Sequence, residues 1–575
     1  MHFSGRRWGA FLALSALVLG CGEPQSSPSE RGAADTRPSA AVPVAPKRFV
    51  AAIRGYPKSV SPTIDAAGAG STAGVREVAQ LLHSGLTVAG ADGRPTGRLA
   101  ENVPSLDNGL WRLFPDGRMQ TTWKIREGAQ WHDGTPVTAD DLVFTSIVAQ
   151  DKQLTVALDS SFAWVESVQA TDPRTLTVSW RQPYISADVL FSDYSSTSIM
   201  PLPKHLLEGP YVEDKASFTA LPYWSEQFIG TGPFRIREYI GDSHMVIEAN
   251  DRYVLGRPKI DEIEVRFIGD FNVLVANVLA GAVEMNFGRG LSLEQGREAQ
   301  EQWRGGRLET VLDNTTSLFP QFANPSPPLI ADLRFRRALL HAIDRKLIVD
   351  LLEGGLSPVA ESPLNPNNPD AKEVEGRIVR YAFDAARSRL MIEELGYVRG
   401  PDGIYQDRSG QRLVVKVQTT PDDLRQKTAA VMGDQWKEAG VMLELVLIPR
   451  QLSGDRQIRS EFAAFDFTRQ PSDPTRYHST QAPLAENNYR GNNRTRYQNL
   501  EFDALLDRYV VTIPRPERMQ VLGDIVHHMT DQLVTMGIYY VVEAILISNR
   551  VVNAGPPIGE DALQTWNAHE WDLKV

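Results

Sequence analysis

From Arg48 onward, runs that alternate in polarity at every second residue trade places with runs whose apolar residues recur every three or four. This alternation constrains the chain most. A period-two run buries one face of a strand, a period-3.6 run buries one stripe of a helix, and layered α/β packing accommodates both. Phe49–Ile53, Trp123–Arg126, Glu166–Ala170, Thr175–Trp180 and Leu413–Val417 read as strands. Asp172-Pro173 is the turn between the third and fourth of these, and Asp116-Gly117 is the turn of a further hairpin. Thr138 is placed to cap a helix, with Asp141 at the capping-box position. Asp332 opens a helix carrying Phe335, Leu339, Ala342, Ile343 and Leu347 that Gly354-Gly355 stops. Further helices are expected over Asp384–Gly396, Lys427–Gly440 (leading into the strand Met442–Ile448) and Glu517–Leu533. A length of 575 residues exceeds one core and suggests roughly three to four units of about 150 residues each.

The N-terminus reads as an export signal. Arg6 and Arg7 precede an apolar run, Trp8 to Leu19, too short to span a bilayer comfortably. Val18-Leu19-Gly20-Cys21 resembles the lipobox of bacterial lipoproteins, in which the signal is cut before the cysteine and the cysteine carries lipid. A plain secretory signal with an incidental cysteine and a twin-arginine signal are the alternatives. Cys21 is the single cysteine, so no internal disulfide and no cysteine-based zinc site can form. Residues 22–47, rich in Pro, Ser and Ala, bury too little to fold and form a tether. The net charge of −11 opposes binding to nucleic acid or to an anionic lipid surface. No later run reaches the length of a membrane span, and Leu533–Ile547, interrupted by Glu543, reads as a buried strand or helix.

A search for catalytic patterns finds no GxSxG elbow, HExxH or P-loop. Gly68-Ala69-Gly70 lacks the preceding strand that a dinucleotide site needs. His527 and His528 are neighbours and so point off different faces of a helix. His132-Asp133-Gly134-Thr135 is a good turn as well as a conceivable acid/base pair, and the turn is favoured. The reading is therefore no enzyme, no cofactor and no metal.

The string Trp123 to Thr145 (WKIREGAQWHDGTPVTADDLVFT) resembles the signature of bacterial extracellular solute-binding proteins, family 5, which include dipeptide, oligopeptide and nickel binders of ABC importers. Further similarities follow in that family's order: Ile229–Phe234 (IGTGPF), Asn250–Tyr253 (NDRY), Leu333–Arg345 (LRFRRALLHAIDR), and Arg496-Tyr497 with Phe502–Leu506. The resemblance implies a two-lobed α/β fold of the type II periplasmic-binding-protein kind, with an extra subdomain in the first lobe. It also implies a solute held between the lobes and an ABC permease as partner. The expected layout is a signal over 1–20, a tether over 21–47 and lobe I over 48–316 with an inserted subdomain at about 86–224. Lobe II then covers 317–534, and 535–575 return to lobe I. The crossovers are expected near Ser317–Asn324 and Met529–Tyr540. The mature protein is expected to be a monomer, lipid-anchored in the cell envelope and facing the extracytoplasmic side.

Peptide binders of that family carry an acid, within a segment similar to GWxxDxxDP, that pairs with the ligand's α-amine. The stretch here is Asp466 to Pro474 (DFTRQPSDP). Aligned on its Asp-Pro end, it places neutral Gln470 at the amine position beside Arg469. Thr468, Arg469, Gln470 and Asp473 are the expected ligand-binding residues; the alternative is that Gln470 faces away and Asp473 only caps a turn. A Gln–Arg pair favours a solute with a masked or absent amine, or with an acidic group. Trp111, Trp224 and Trp566 are candidate pocket aromatics, with core packing the favoured account of each. An extracytoplasmic hydrolase and a sensory or scaffold binding protein without a permease are the competing functions.

Overall fold

The first strand, β1 (Arg48–Ile53), is buried along nearly its whole length, as a strand flanked on both sides by parallel partners must be. In the computed structural model, residues 45–61, 73–154, 160–193, 198–288, 291–555, 559 and 562–574 are described. Cys21, most of the tether and Gly68–Gly70 lie outside the described residues.

Helix α1 (Val75–Leu82) follows β1. A separate four-stranded sheet then forms from β2 (Trp111–Leu113), β3 (Met119–Lys124), β4 (Val165–Asp172) and β5 (Thr175–Trp180), in the order β2-β3-β5-β4. Alternation governs it: Met119, Thr121 and Trp123 are buried on β3, and Leu176, Val178 and Trp180 on β5. Asp116-Gly117 makes the β2–β3 turn as expected, with Gly117 at φ 86°. The strand expected over Trp123–Arg126 lies earlier, ending at Lys124. Helix α2 (Ala139–Ala149) starts at Thr138, whose amide donates to Asp141 Oδ2 (2.8 Å).

The main sheet takes in β6 (Phe234–Ile240), β7 (His244–Ala249), β8 (Glu262–Phe267), β9 (Met285–Asn286), β10 (Gly306–Pro320), β11 (Val414–Thr419), β12 (Met442–Leu447), β13 (Phe465–Gln470) and β14 (Met536–Ser548). Its order is β12-β11-β13-β10-β14-β9-β1-β8-β7-β6. β10 and β14 run through both halves, paired antiparallel from Gly306↔Ser548 to Leu318↔Met536. One core gathers Phe49, Trp123, Phe234 and Trp571; a second gathers Leu318, Phe335, Trp436, Phe467 and Ile538. The chain is thus two α/β lobes joined through two long strands.

Helix α3 (Leu293–Gln302) packs on the crossover strands through Ala299, which shares a core with Ala544 and Leu546. The single helix expected after Asp332 is two: α4 (Leu333–His341) and α5 (Arg345–Leu352). The helical spacing continues across the break, but Asp344 accepts from the Leu347 amide (2.9 Å) and caps a new helix. Helix α6 (Ala385–Glu394) begins at its Asp384 cap. Helix α7 (Asp423–Glu438) begins one turn before the expected Lys427, because Asp422 caps it through the Arg425 amide (2.9 Å). Helices α8 (Leu500–Val511) and α9 (Arg515–Asp531) complete lobe II.

Candidate functional site

Three of the sequence motifs meet at one place in lobe I. The Gly230 amide donates to His132 Nδ1 (3.1 Å), and His132 Nε2 donates to the Gly232 carbonyl (3.2 Å). Asn250 donates to the same carbonyl (3.0 Å), and Arg252 reaches the His132 carbonyl (3.5 Å). A Cβ at Gly230 would lie 2.1 Å from the Leu82 carbonyl oxygen, and one at Gly232 would lie 2.4 Å from the His83 nitrogen, so only glycine fits against the end of α1. Burial pushes His132 down to about 3 and His83 to about 4, so both rings are neutral. Asp133 accepts from the Thr135 amide (2.9 Å) and pairs with His205 (2.8 Å), not with His132. The HDGT segment is therefore a turn locked onto a glycine turn, not an acid/base pair.

The helix motif is structural too. Buried Arg336 donates to the carbonyls of Ile330 (2.9 Å) and Gln532 (2.8 Å). Arg345 donates to the Gly537 carbonyl (3.1 Å) and to Glu361 (3.0 Å), tying α5 to β14.

The sheet topology brings the carboxyl ends of parallel strands from both lobes toward one place. β1 is parallel to β8 and β9, and β11 is parallel to β12 and β13. Ligands of open α/β sheets bind beyond the carboxyl ends of such strands. β13 ends at Gln470, opposite Thr315 of β10. β9 pairs antiparallel with β14 at Met285↔Ile547 and so runs toward the middle of β14. The carboxyl ends of both lobes converge where the β10–β14 ladder is irregular, between Leu312 and Thr315.

Charged groups collect there. Arg469 Nη1 lies 2.7 Å from Glu543 of β14 and 3.7 Å from Asp313 in the irregular stretch. Burial opposes the charge on Arg469, but the two carboxylates outweigh it and hold its pKa above the ordinary value. Glu353, just after α5, is 1% exposed, and its Oε2 has no hydrogen-bond partner. Burial pushes its carboxyl up to about 8, with Arg469 pulling against this and Glu543 adding to it. Arg425, in the first turn of α7, reaches Thr420 Oγ1 (2.8 Å) and stands 3.8 Å from Asp422.

The segment expected to bind ligand divides across the sheet. Thr468 is buried, and its hydroxyl accepts from Arg459 (3.3 Å), which also pairs with Asp466 (2.9 Å). Arg469, one residue on, points off the opposite face. The Gln470 backbone pairs with Thr315 at the convergence point, and its side chain lies outside what is described. Asp473 accepts from the Thr475 amide (2.9 Å) and hydroxyl (2.6 Å), capping a short turn. Sequence reasoning missed Asp313, Glu353 and Arg425, which are scattered along the chain; Glu543 alone carried a signal, as a charge inside an apolar run.

Trp111, Trp224 and Trp566 all belong to lobe I. Trp111 and Trp224 are core residues, and Trp224 also borders an apolar cavity with Tyr223 and Phe228. Trp566 borders a small polar cavity with Arg98, Tyr253 and His569. His528 stacks on Phe502 and bonds the Tyr497 hydroxyl (3.0 Å), whereas His527 reaches the Arg377 carbonyl (3.2 Å). Among the described residues no cluster of three metal-ligating side chains occurs, and no helix is long and apolar enough to cross a membrane.

The model of the middle region of bacterial extracellular solute-binding proteins, family 5, matches residues 101–504. The oligopeptide-binding protein AppA of Bacillus subtilis is 27% identical over 377 residues, which cover 65% of this chain and 64% of that one, just under two thirds of the relative's length. The oligopeptide binding protein of Thermus thermophilus, solved with a pentapeptide, superposes with a TM-score of 0.71 at 22% identity, covering 92% of this chain and 96% of that one. NikA of Brucella suis, solved with Fe(III)-EDTA, superposes with a TM-score of 0.74 at 18% identity, covering 92% of this chain and 100% of that one. At these identities the structures speak for the fold alone.

Proposed function

The chain belongs to the bacterial extracellular solute-binding proteins, family 5, and on that premise we propose that it captures a peptide or peptide-like solute between its lobes and delivers it to an ABC permease. The observation that carries this reading is the convergence of parallel-strand carboxyl ends from both lobes on the charged middle of β10 and β14. Family members and the similar AppA are binding proteins, and we read this chain likewise as a carrier without turnover. The proposal includes attachment to a membrane through lipid on Cys21, a tether to residue 47, and a monomer facing the extracytoplasmic side. It keeps lobe I over 48–316 with an insert at 86–224, lobe II over 317–534, and a return over 535–575.

Thr468, Arg469, Gln470 and Asp473 are the proposed ligand residues. Arg469 already holds two carboxylates, so it meets a ligand's acid only in competition with Glu543. With neutral Gln470 at the amine position, the site favours a solute whose amine is masked or absent. A peptide, sugar and metal library screened by thermal shift identifies binders through mass action. Gln470→Asp is then expected to strengthen a free-amine peptide over its N-acetylated form by about 10- to 150-fold in calorimetry. An equal effect on both forms would place Gln470 outside the amine site.

A further inference from the structure

One side chain of lobe II is a member of lobe I's core. Ile513, in the turn between α8 and α9, is 5% exposed and clusters with core residues drawn otherwise from 49–287 and 545–573. The helices on either side bury Phe502, Leu506, Val521, Ile525 and Met529 in lobe II. Beside Ile513, the Val510 carbonyl accepts a hydrogen bond from the Ile185 amide (2.9 Å), and Tyr184 and Ile185 pack on the same lobe I core. The turn itself is braced. Arg518 Nη1 donates to the Ile513 carbonyl (2.9 Å), the Thr512 hydroxyl donates to the Arg508 carbonyl (2.6 Å), and Pro514 fixes the entry to α9. A second contact between the lobes, Lys427 with Glu294 (2.9 Å), involves α3, which packs directly on the crossover strand β14. The Ile513 contact lies on other elements, in the loop after β5 and the turn after α8.

We propose that the Thr512–Ile513–Pro514 turn is a latch that biases the two lobes toward the joined arrangement before any ligand binds, without completing closure alone. Parting the lobes would draw Ile513 out of an apolar core into water and break the Ile185–Val510 backbone bond. Burial of one such side chain favours the joined arrangement by roughly 10- to 100-fold. The solute then supplies only the remainder of the closing free energy, through contacts that differ between the two arrangements. The use of the latch in capture rests on the binding reading above, but its test needs no ligand, so the two fail separately.

Hydrogen exchange on the full chain reads the latch at the Ile185 amide. Ile513→Ala is expected to speed exchange of the peptide holding Ile185 by at least roughly tenfold. Peptides from β6 and β13, inside the two lobes, keep their wild-type protection. Ile513→Asp should do the same more strongly, and Ile513→Ala carries the test if the aspartate variant does not fold. Unchanged exchange at Ile185 in Ile513→Ala would overturn the proposal. Equal loss of protection throughout lobe I would also overturn it, since Ile513 would then be an ordinary core residue.

Discussion

At the scale of single residues, the site is defined by how charges are held. Glu353 is the clearest case, because a carboxyl with an unpaired oxygen at 1% exposure keeps its proton at neutral pH. Its folded value of about 8 lies above the ordinary 4.5. The folded state therefore binds the extra proton between those values. Stability from this group is full below about 4.5 and declines as pH rises to about 8. Glu353→Gln cannot ionise and lacks this decline. Melting curves between pH 5 and pH 9 should show wild type losing a few degrees relative to the variant. Parallel pH profiles for the two proteins would mean that Glu353 is ionised in the fold.

At the scale of elements, capping residues decide boundaries that hydrophobic spacing leaves open. Phe335, Leu339, Ala342, Ile343 and Leu347 keep a helical period through a point where the helix stops and restarts. α5 buries Ile348 and Val349 in the core that holds Phe335 and Leu339, whereas Leu347, where the unbroken period would bury a residue, is 43% exposed, so the apolar spacing hides a change of face at the break. Asp344 marks the break, by taking the Leu347 amide. Asp344→Ala should cost about 1 kcal/mol in denaturant unfolding, with the midpoint shifted and the slope unchanged. A change below a few tenths of a kcal/mol would show that packing alone holds α5 in place.

At the scale of the whole molecule, β10 and β14 carry the connection between the lobes, and their ladder is irregular at Leu312–Thr315. A break in regular pairing at the middle of both crossovers is a natural place for backbone rotation. If the latch and the ladder share the work, a solute that bridges Asp313, Arg469 and Glu543 draws the lobes together about this point. Scattering with and without the peptide giving the largest thermal shift should then show a smaller radius of gyration when bound. The same radius at saturation would count against hinge motion in capture.

Local chemistry was legible from the residues alone. The β2–β3 turn at Asp116-Gly117, the Thr138–Asp141 cap, the β4–β5 hairpin around Asp172-Pro173 and the helix after Asp384 each depend on neighbours within a few positions. The resemblance carried by the motifs reached the two-lobed fold, because those motifs are its structural joints: His132 against Gly230 and Gly232, Arg345 against Gly537. The site was legible only in part. Arg469 was named, but its neutralisation by Asp313 and Glu543 was not visible, since those acids reach it from strands far away in the chain. Ile513 reads in sequence as one more apolar residue beside a proline. That it leaves its own lobe's core for the other's was decided by tertiary packing, because burial depends on what surrounds a side chain in space and not on its neighbours along the chain.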